Sequence, residues 1–198
     1  KAAGEVGSEI HLDAVQSWGR IPYDVSFATT LSLAAHKLRG PKGIGLLGKG
    51  PCVSLSSLFF GGSQDRGVRP GTLDAVLAAG LLAAVERARD APSSYAGLAP
   101  LRDRLEREIV DLYPAAVVNG KGAKSRAPHV TNISFMGLSG PELVAALDLE
   151  GVSVSSGSAC SAGTADPSPT ITHMAGAERA RSAVRFSLGD WVSEDDVE

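Results

Sequence analysis

The sequence predicts an α/β fold in two parts: a strand-and-helix unit built on an open sheet, then a small α+β layer. Three observations carry this. Two apolar runs, Glu9-Ile10-His11-Leu12-Asp13-Ala14-Val15 and Thr30-Leu31-Ser32-Leu33-Ala34-Ala35, have the length and alternation of buried strands. Leu73, Val76, Leu77, Leu81 and Val85 then recur at helical spacing. After Ala91-Pro92-Ser93-Ser94 interrupts that helix, strands and helices interleave to the end of the chain. A boundary at the interruption divides the sequence into residues 1–90 and 91–198.

In order, the first run ends at Asp13 and the second at Lys37, and Arg39-Gly40-Pro41-Lys42-Gly43 can only be a turn. Residues 43–47 form a short strand and 53–60 another, whereas 61–67 are too rich in glycine for an element interior. Residues 72–89 form a helix capped by Thr72, with Arg87 and Arg89 placed to suit its negative end. Beyond the boundary, helices are expected over 98–113, 140–149 and 167–175, with Pro141 at the favoured first position of the second. Strands are expected over 115–118, 129–135, 152–155 and 183–188, with the helices on one face of their sheet. Ser193-Glu194-Asp195-Asp196 reads as the start of one more helix.

Composition narrows the function classes. The 198 residues are 43% hydrophobic and 21% charged, which is ordinary for a globular protein. A net charge of −3 argues against nucleic acid as a partner, because such binders carry a basic excess. No apolar run approaches membrane-spanning length and no signal peptide is visible, so no membrane partner and a cytoplasmic location are expected. Cys52 and Cys160 lie in dissimilar contexts and suggest no disulfide framework, which fits a reducing compartment. No metal site is assigned. The sequence starts at Lys1 and stops soon after its last expected helix begins, so it reads as a piece of something longer.

The chemistry centres on Asp13 and Lys37. Ligands of open α/β sheets sit beyond the carboxyl ends of the strands. Two strands ending in an acid and a lysine therefore put both charges in one crevice. Pyridoxal phosphate (PLP) needs that pair: an amine for a Schiff base, and an acid that keeps the ring nitrogen protonated. The plainer alternative is a strand-end acid and a surface lysine beside a turn. Cys160 lies in Ser155-Ser156-Gly157-Ser158-Ala159-Cys160-Ser161-Ala162-Gly163, whose small residues cost little to deform and could swing a thiolate over several ångströms. Cys52, beside Pro51 at a strand start, reads as structural. Arg185 stands mid-strand between Val184 and Phe186, where its charge wants either a planar anion such as an α-carboxylate or a structural ion pair.

His11-Leu12-Asp13-Ala14-Val15-Gln16-Ser17, His36-Lys37 with Gly40-Pro41-Lys42-Gly43, and Arg66-Gly67-Val68-Arg69-Pro70-Gly71-Thr72 together resemble the fold-type I PLP enzymes. The stretch from Ser155 to Cys160 narrows the resemblance to the NifS-like, class I cysteine desulfurases. It extends over nearly the whole chain and implies the C-terminal part of such an enzyme. Residues 1–90 would be the C-terminal part of the PLP-binding large domain, and residues 91–198 the small C-terminal domain with the cysteine loop. The resemblance implies that Lys37 holds PLP, Asp13 its ring nitrogen, Gln16 its phenolic oxygen and His36 its phosphate. Thr72 would reach the cofactor of a neighbouring subunit, which implies a homodimer. Arg185 would bind the carboxylate of L-cysteine, and Cys160 would take its sulfur as a persulfide. The product would be L-alanine, and the sulfur would pass to an acceptor or scaffold protein for iron–sulfur assembly or another thiolation. Ala34-Ala35 departs from the family's Ser-Gly before His-Lys, and loss of that serine removes a hydrogen bond to phosphate worth about 1.5–3 kcal/mol. The family's ring-stacking histidine lies in the half not represented here. A selenocysteine lyase, an aminotransferase that has no need of Cys160, and a non-catalytic scaffold subunit remain as alternatives.

Overall fold

In a computed structural model of the chain, residues 5–22, 24–157 and 166–197 are described. The chain divides into two compact units, Lys1–Ser93 and Ser94–Glu198. Among the described residues no helix is long and apolar enough to cross a membrane.

The first unit is a three-stranded sheet with one long helix. Strand β1 (His11–Asp13) pairs in parallel with β2 (Thr30–Ala34), which pairs antiparallel with β3 (Gly45–Lys49). A 3-10 turn, Ala35–Leu38, follows β2 and is closed by Arg39 in the left-handed region at φ 63°. Residues 53–60 are not the expected strand. Ser57 Oγ binds both the N–H and the carbonyl of Phe59, a local turn that withdraws the backbone from any ladder. Leu58 and Phe60 are left fully exposed.

Helix α1 (Ala75–Arg89) is capped by Asp74 rather than Thr72. The Asp74 carboxylate accepts from the Leu77 N–H at 2.9 Å, where it also meets the positive end of the helix. The packing face differs from the expected one as well. Leu73 and Val76 are exposed, and Leu81, Ala84 and Ala88 are the buried positions. The working stripe is Gly80, Ala84 and Ala88, four residues apart and small enough to let other backbone come close. A β-carbon on Gly80 would lie 2.9 Å from Pro41 Cγ, and one on Gly40 would lie 2.9 Å from Ala84 Cβ. Gly19, at φ +72°, sits where a β-carbon would be 2.7 Å from Ala88 Cβ and 3.0 Å from its carbonyl oxygen. Leu38, Trp18 and Val85 fill the space around these contacts. The turn after β1 and the turn after β2 therefore rest on the same two helical turns of α1.

The second unit is a four-stranded antiparallel sheet in the order β4 (Ala116–Val118), β5 (Val130–Phe135), β7 (Ala183–Ser187), β6 (Ser155–Ser156). The stretch 91–94 is not a break. It opens a short helix α2 (Ala91–Ala96), because proline is tolerated in a first helical turn. Helices α3 (Ala99–Leu112) and α4 (Gly140–Leu149) cover one sheet face, where Ile133 and Val184 are paired and fully buried. Leu105 and Ile109 of α3 and Leu143, Val144 and Leu147 of α4 pack against the cluster that this pair forms with Ala116, Val118 and Phe186. Helices are not confined to this face. On the other, Ala183 packs with Ile171 of α5 (Pro169–Ala175) and Ala180 of α6 (Ala177–Arg181), two helices parted at Gly176 with φ 89°. The strand expected over 152–155 starts late because Gly151, at φ 82°, and the bond from Val152 N–H to Leu147 O still close α4. Residues 193–196 form a turn, with Asp196 accepting from the Ser193 N–H and hydroxyl.

One ionic cluster ties α3 to the sheet. Glu106, 4% exposed, accepts from Arg126 through both oxygens and from Thr131 Oγ1 at 2.6 Å, with Arg102 Nε at 4.0 Å. Burial alone would raise its pKa, but the bonds from Arg126 and Thr131 and the two guanidinium charges outweigh that and hold it below the ordinary value. A lowered carboxyl pKa stabilises the fold above the unfolded pKa, and that stability is lost as pH falls through the folded value. Glu106→Gln should therefore cost about 3 kcal/mol at neutral pH and flatten the acid dependence of urea unfolding. Gly19→Ala should lower the melting temperature, by about 1–3 kcal/mol of stability. Adding Ala88→Gly should recover only the part due to the Ala88 methyl and leave the parts due to the Ala88 backbone and the Gly19 backbone angle.

Candidate active site

Asp13 and the turn bearing Lys37 lie at the same end of a parallel pair. In the register, Asp13 stands opposite Ser32 and His11 opposite Thr30. Both strands run the same way, so the chain leaving β1 after Asp13 and the chain leaving β2 into Ala35–Leu38 emerge together.

The side chains on this end form a short polar row. Asp13 Oδ1 accepts from the Val15 N–H at 3.0 Å and, at 3.4 Å, from Ser32 Oγ. Ser32 Oγ is also 3.3 Å from His11 Nε2, and His11 Nδ1 is 2.9 Å from Thr30 Oγ1. With its proton given to Asp13, the Ser32 hydroxyl has only lone pairs left to offer His11 Nε2. Among the described residues Asp13 Oδ2 takes no hydrogen bond, and Lys37 Nζ, on a half-buried side chain, has no partner. His36, beside it in the turn, is exposed. Ala35 is wholly buried, and its carbonyl accepts from the Gly40 N–H at 2.8 Å to close the turn.

Gln16 and Lys37 are joined through a residue that sequence reasoning left out. Arg20 Nη1 donates to the Gln16 side-chain carbonyl and, at 3.1 Å, to the Gln16 backbone carbonyl. Arg20 Nη2 donates to the Lys37 backbone carbonyl at 2.9 Å. His11 and Ser32 were also left out, although two-residue alternation puts His11 on the face of Asp13. Arg20 gave no comparable signal, since nothing in a sequence says that a loop arginine reaches a carbonyl 17 residues away.

Thr72 stands apart from this group. It is exposed, two residues before the α1 cap, and among the described residues it makes no hydrogen bond with Asp13, Gln16, His36 or Lys37. Cys52 is exposed in a turn after β3 and is not the packed structural residue expected. Cys160 and its neighbours 158–165 lie outside the described residues. Arg185 belongs to the second unit. It pairs with Asn132 on one side and Ser155 on the other, on the sheet face opposite Ile133 and Val184. Its half-buried guanidinium has no ion pair or hydrogen bond among the described residues, so the structural ion pair is absent there.

A sequence profile of the family Aminotransferase class-V matches residues 1–198. The chain is 37% identical over 207 residues to cysteine desulfurase IscS of Clostridium botulinum (strain Kyoto / Type A2), covering all of this chain and 52% of that protein. It is 36% identical over 202 residues to cysteine desulfurase NifS of Azotobacter vinelandii, covering all of this chain and 50% of that one. The chain thus spans about half the length of the curated relatives it matches. Among solved structures, a NifS-like protein from Rickettsia africae ESF-5 superimposes with a TM-score of 0.85 at 26% identity, over 98% of this chain and 52% of the other.

Proposed function

The chain belongs to the aminotransferase class-V family, and on that footing we propose that the intact protein is a PLP-dependent cysteine desulfurase. The observation that carries the proposal is the pair at the end of β1 and β2: among the described residues an Asp13 oxygen and the Lys37 amine have no partner, and the turns that follow the two strands rest on one helix. The similarity to two cysteine desulfurases over the whole chain supports the substrate class.

The donor set fits PLP. Lys37 would be its covalent anchor, Asp13 would hold its ring nitrogen protonated, and Gln16 would donate to its phenolic oxygen. His36, exposed in the turn, would bind its phosphate, and Thr72 would serve the cofactor of a second subunit in a homodimer. When bound, PLP supplies an electron sink that loosens the bonds around the substrate α- and β-carbons. Arg185 holds the carboxylate of L-cysteine with its planar fork. The Cys160 thiolate attacks the substrate sulfur, a new S–S bond forms, and the Cβ–S bond breaks with its electron pair left on carbon. Lys37 would move the protons, and the β-carbon would take one to give L-alanine. Sulfur leaves as the Cys160 persulfide for an acceptor protein, in iron–sulfur cluster assembly or another thiolation, in the cytoplasm.

The division of the chain after Ser93 supports reading residues 1–90 as the C-terminal part of a PLP-binding large domain. Residues 91–198, with their antiparallel sheet and packed helices, are then the small α+β C-terminal domain.

Two experiments test this in the intact protein. Borohydride reduction followed by peptide mapping should place the cofactor on Lys37, and Lys37→Ala should abolish attachment; label on Lys42 or Lys49 would refute the assignment. Cys160→Ser should still bind PLP and change its visible spectrum on adding L-cysteine, yet release at least about a hundredfold less sulfide, because the nucleophile is gone. Sulfide release at the wild-type rate would turn the reading to an aminotransferase-like enzyme.

A further inference from the structure

The Gln16 amide has two ends, and only one of them can meet an arginine. A guanidinium carries five N–H donors and no acceptor, whereas an amide offers a carbonyl at one end and an NH2 at the other. Arg20 Nη1 lies on Gln16 Oε1. With the amide reversed, donors would face donors and a positive charge, so Arg20 admits one orientation only. Gln16 Nε2 is thereby turned away from Arg20.

The same guanidinium reaches two further acceptors, the Gln16 backbone carbonyl at 3.1 Å and the Lys37 backbone carbonyl at 2.9 Å. Nη1 and Nη2 are held in one plane, so the two ends of the fork set the Gln16 turn and the Lys37 turn at a fixed offset. Arg20 itself is half-buried, and it follows Gly19, which has no room for a side chain against Ala88. The direction in which Arg20 leaves the backbone is therefore constrained from below.

We propose that Arg20 is a positioning residue that locks the Gln16 amide with its NH2 outward, so that Gln16 presents a donor and never an acceptor to the cofactor's phenolic oxygen. The inference rests on the reading of Gln16 as a cofactor contact in the proposed desulfurase. It adds the residue that makes that contact one-sided.

The test is a pH titration of the visible absorbance band of the PLP-loaded intact protein, which reads the proton balance around the phenolic oxygen rather than turnover. Gln16→Leu should move the midpoint by on the order of one pH unit. Arg20→Met should move it in the same direction and by a similar amount, and the double variant should move it no further than Gln16→Leu. Arg20→Lys should stay near wild type, since an ammonium is also a donor only and still selects the carbonyl. A wild-type midpoint in Arg20→Met beside a shifted Gln16→Leu overturns the role of Arg20 and leaves the reading of Gln16 standing. An unmoved Gln16→Leu overturns that reading and the inference with it. An Arg20→Lys midpoint displaced as far as Arg20→Met overturns the donor-only argument. If Arg20→Met does not fold, Arg20→Gln takes its place: a neutral amide can face Gln16 either way, so part of the Gln16→Leu shift supports the proposal and a wild-type midpoint rejects it.

Discussion

Close packing without side chains governs the first unit. Dispersion attraction is short-ranged, and a helix can hold a turn firmly only where nothing bulky separates the two backbones. Gly80, Ala84 and Ala88 give α1 that bare face, and Gly40, Pro41 and Gly19 meet it. The turn that follows Asp13 and the turn that carries Lys37 therefore share one floor, and Arg20 joins them from above. Neither turn would keep its place on a helix with leucines at those positions. The polar groups gain their spacing from the apolar contacts beneath them.

The second unit solves a similar problem with different means. Its helices α3 and α4 bury large side chains against Ile133 and Val184, and the buried Glu106–Arg126 pair ties α3 to Thr131 of β5. Removing either charge would strand the other inside, so the pair specifies one arrangement more than it strengthens the core. On the opposite face, polar residues form a chain. Arg179 donates to Asn119, whose amide donates to Asn132 at 2.6 Å and to Ser134 at 2.8 Å. Arg185 stands beside that chain, its donors unspent among the described residues.

Much of the strand order was legible from alternation, because a two-residue period states which residues share a face. The runs leading to Asp13 and to Lys37, and the one through Val184 and Phe186, appear as strands β1, β2 and β7, though trimmed at their ends. Helix α4 could be read to the residue, since Pro141 marks its first turn. Elsewhere a local rule was applied to the wrong residue. Counting large apolar side chains on 72–89 passed over the small-residue stripe, which contributes nearness rather than area. Thr72 looked like the cap because a threonine before an apolar run is a good one, but Asp74 is nearer the first free N–H groups and charged. Within residues 53–60, Ser57 ties down the backbone of Phe59 in a local bend that their hydrophobicity did not suggest. The Arg20 bridge was beyond reach, because it depends on where two turns come to rest.

The two halves of the site differ in how far the chain must travel to make them. The lysine's turn is enclosed by a hairpin, with Ala34 paired to Gly45 and Ile44 O bonded to Ala35 N–H. Asp13 is brought in by a parallel pairing whose partners, such as His11 and Thr30, are 19 residues apart. Loop closure of that length costs more entropy than a hairpin and is not recovered until α1 is in place to receive both turns. Contact separation therefore makes the strand pairing around the amine local and that around the acid long-range. A nascent chain can close the Lys37 hairpin from near neighbours, whereas setting Asp13 beside it waits on the longer parallel closure.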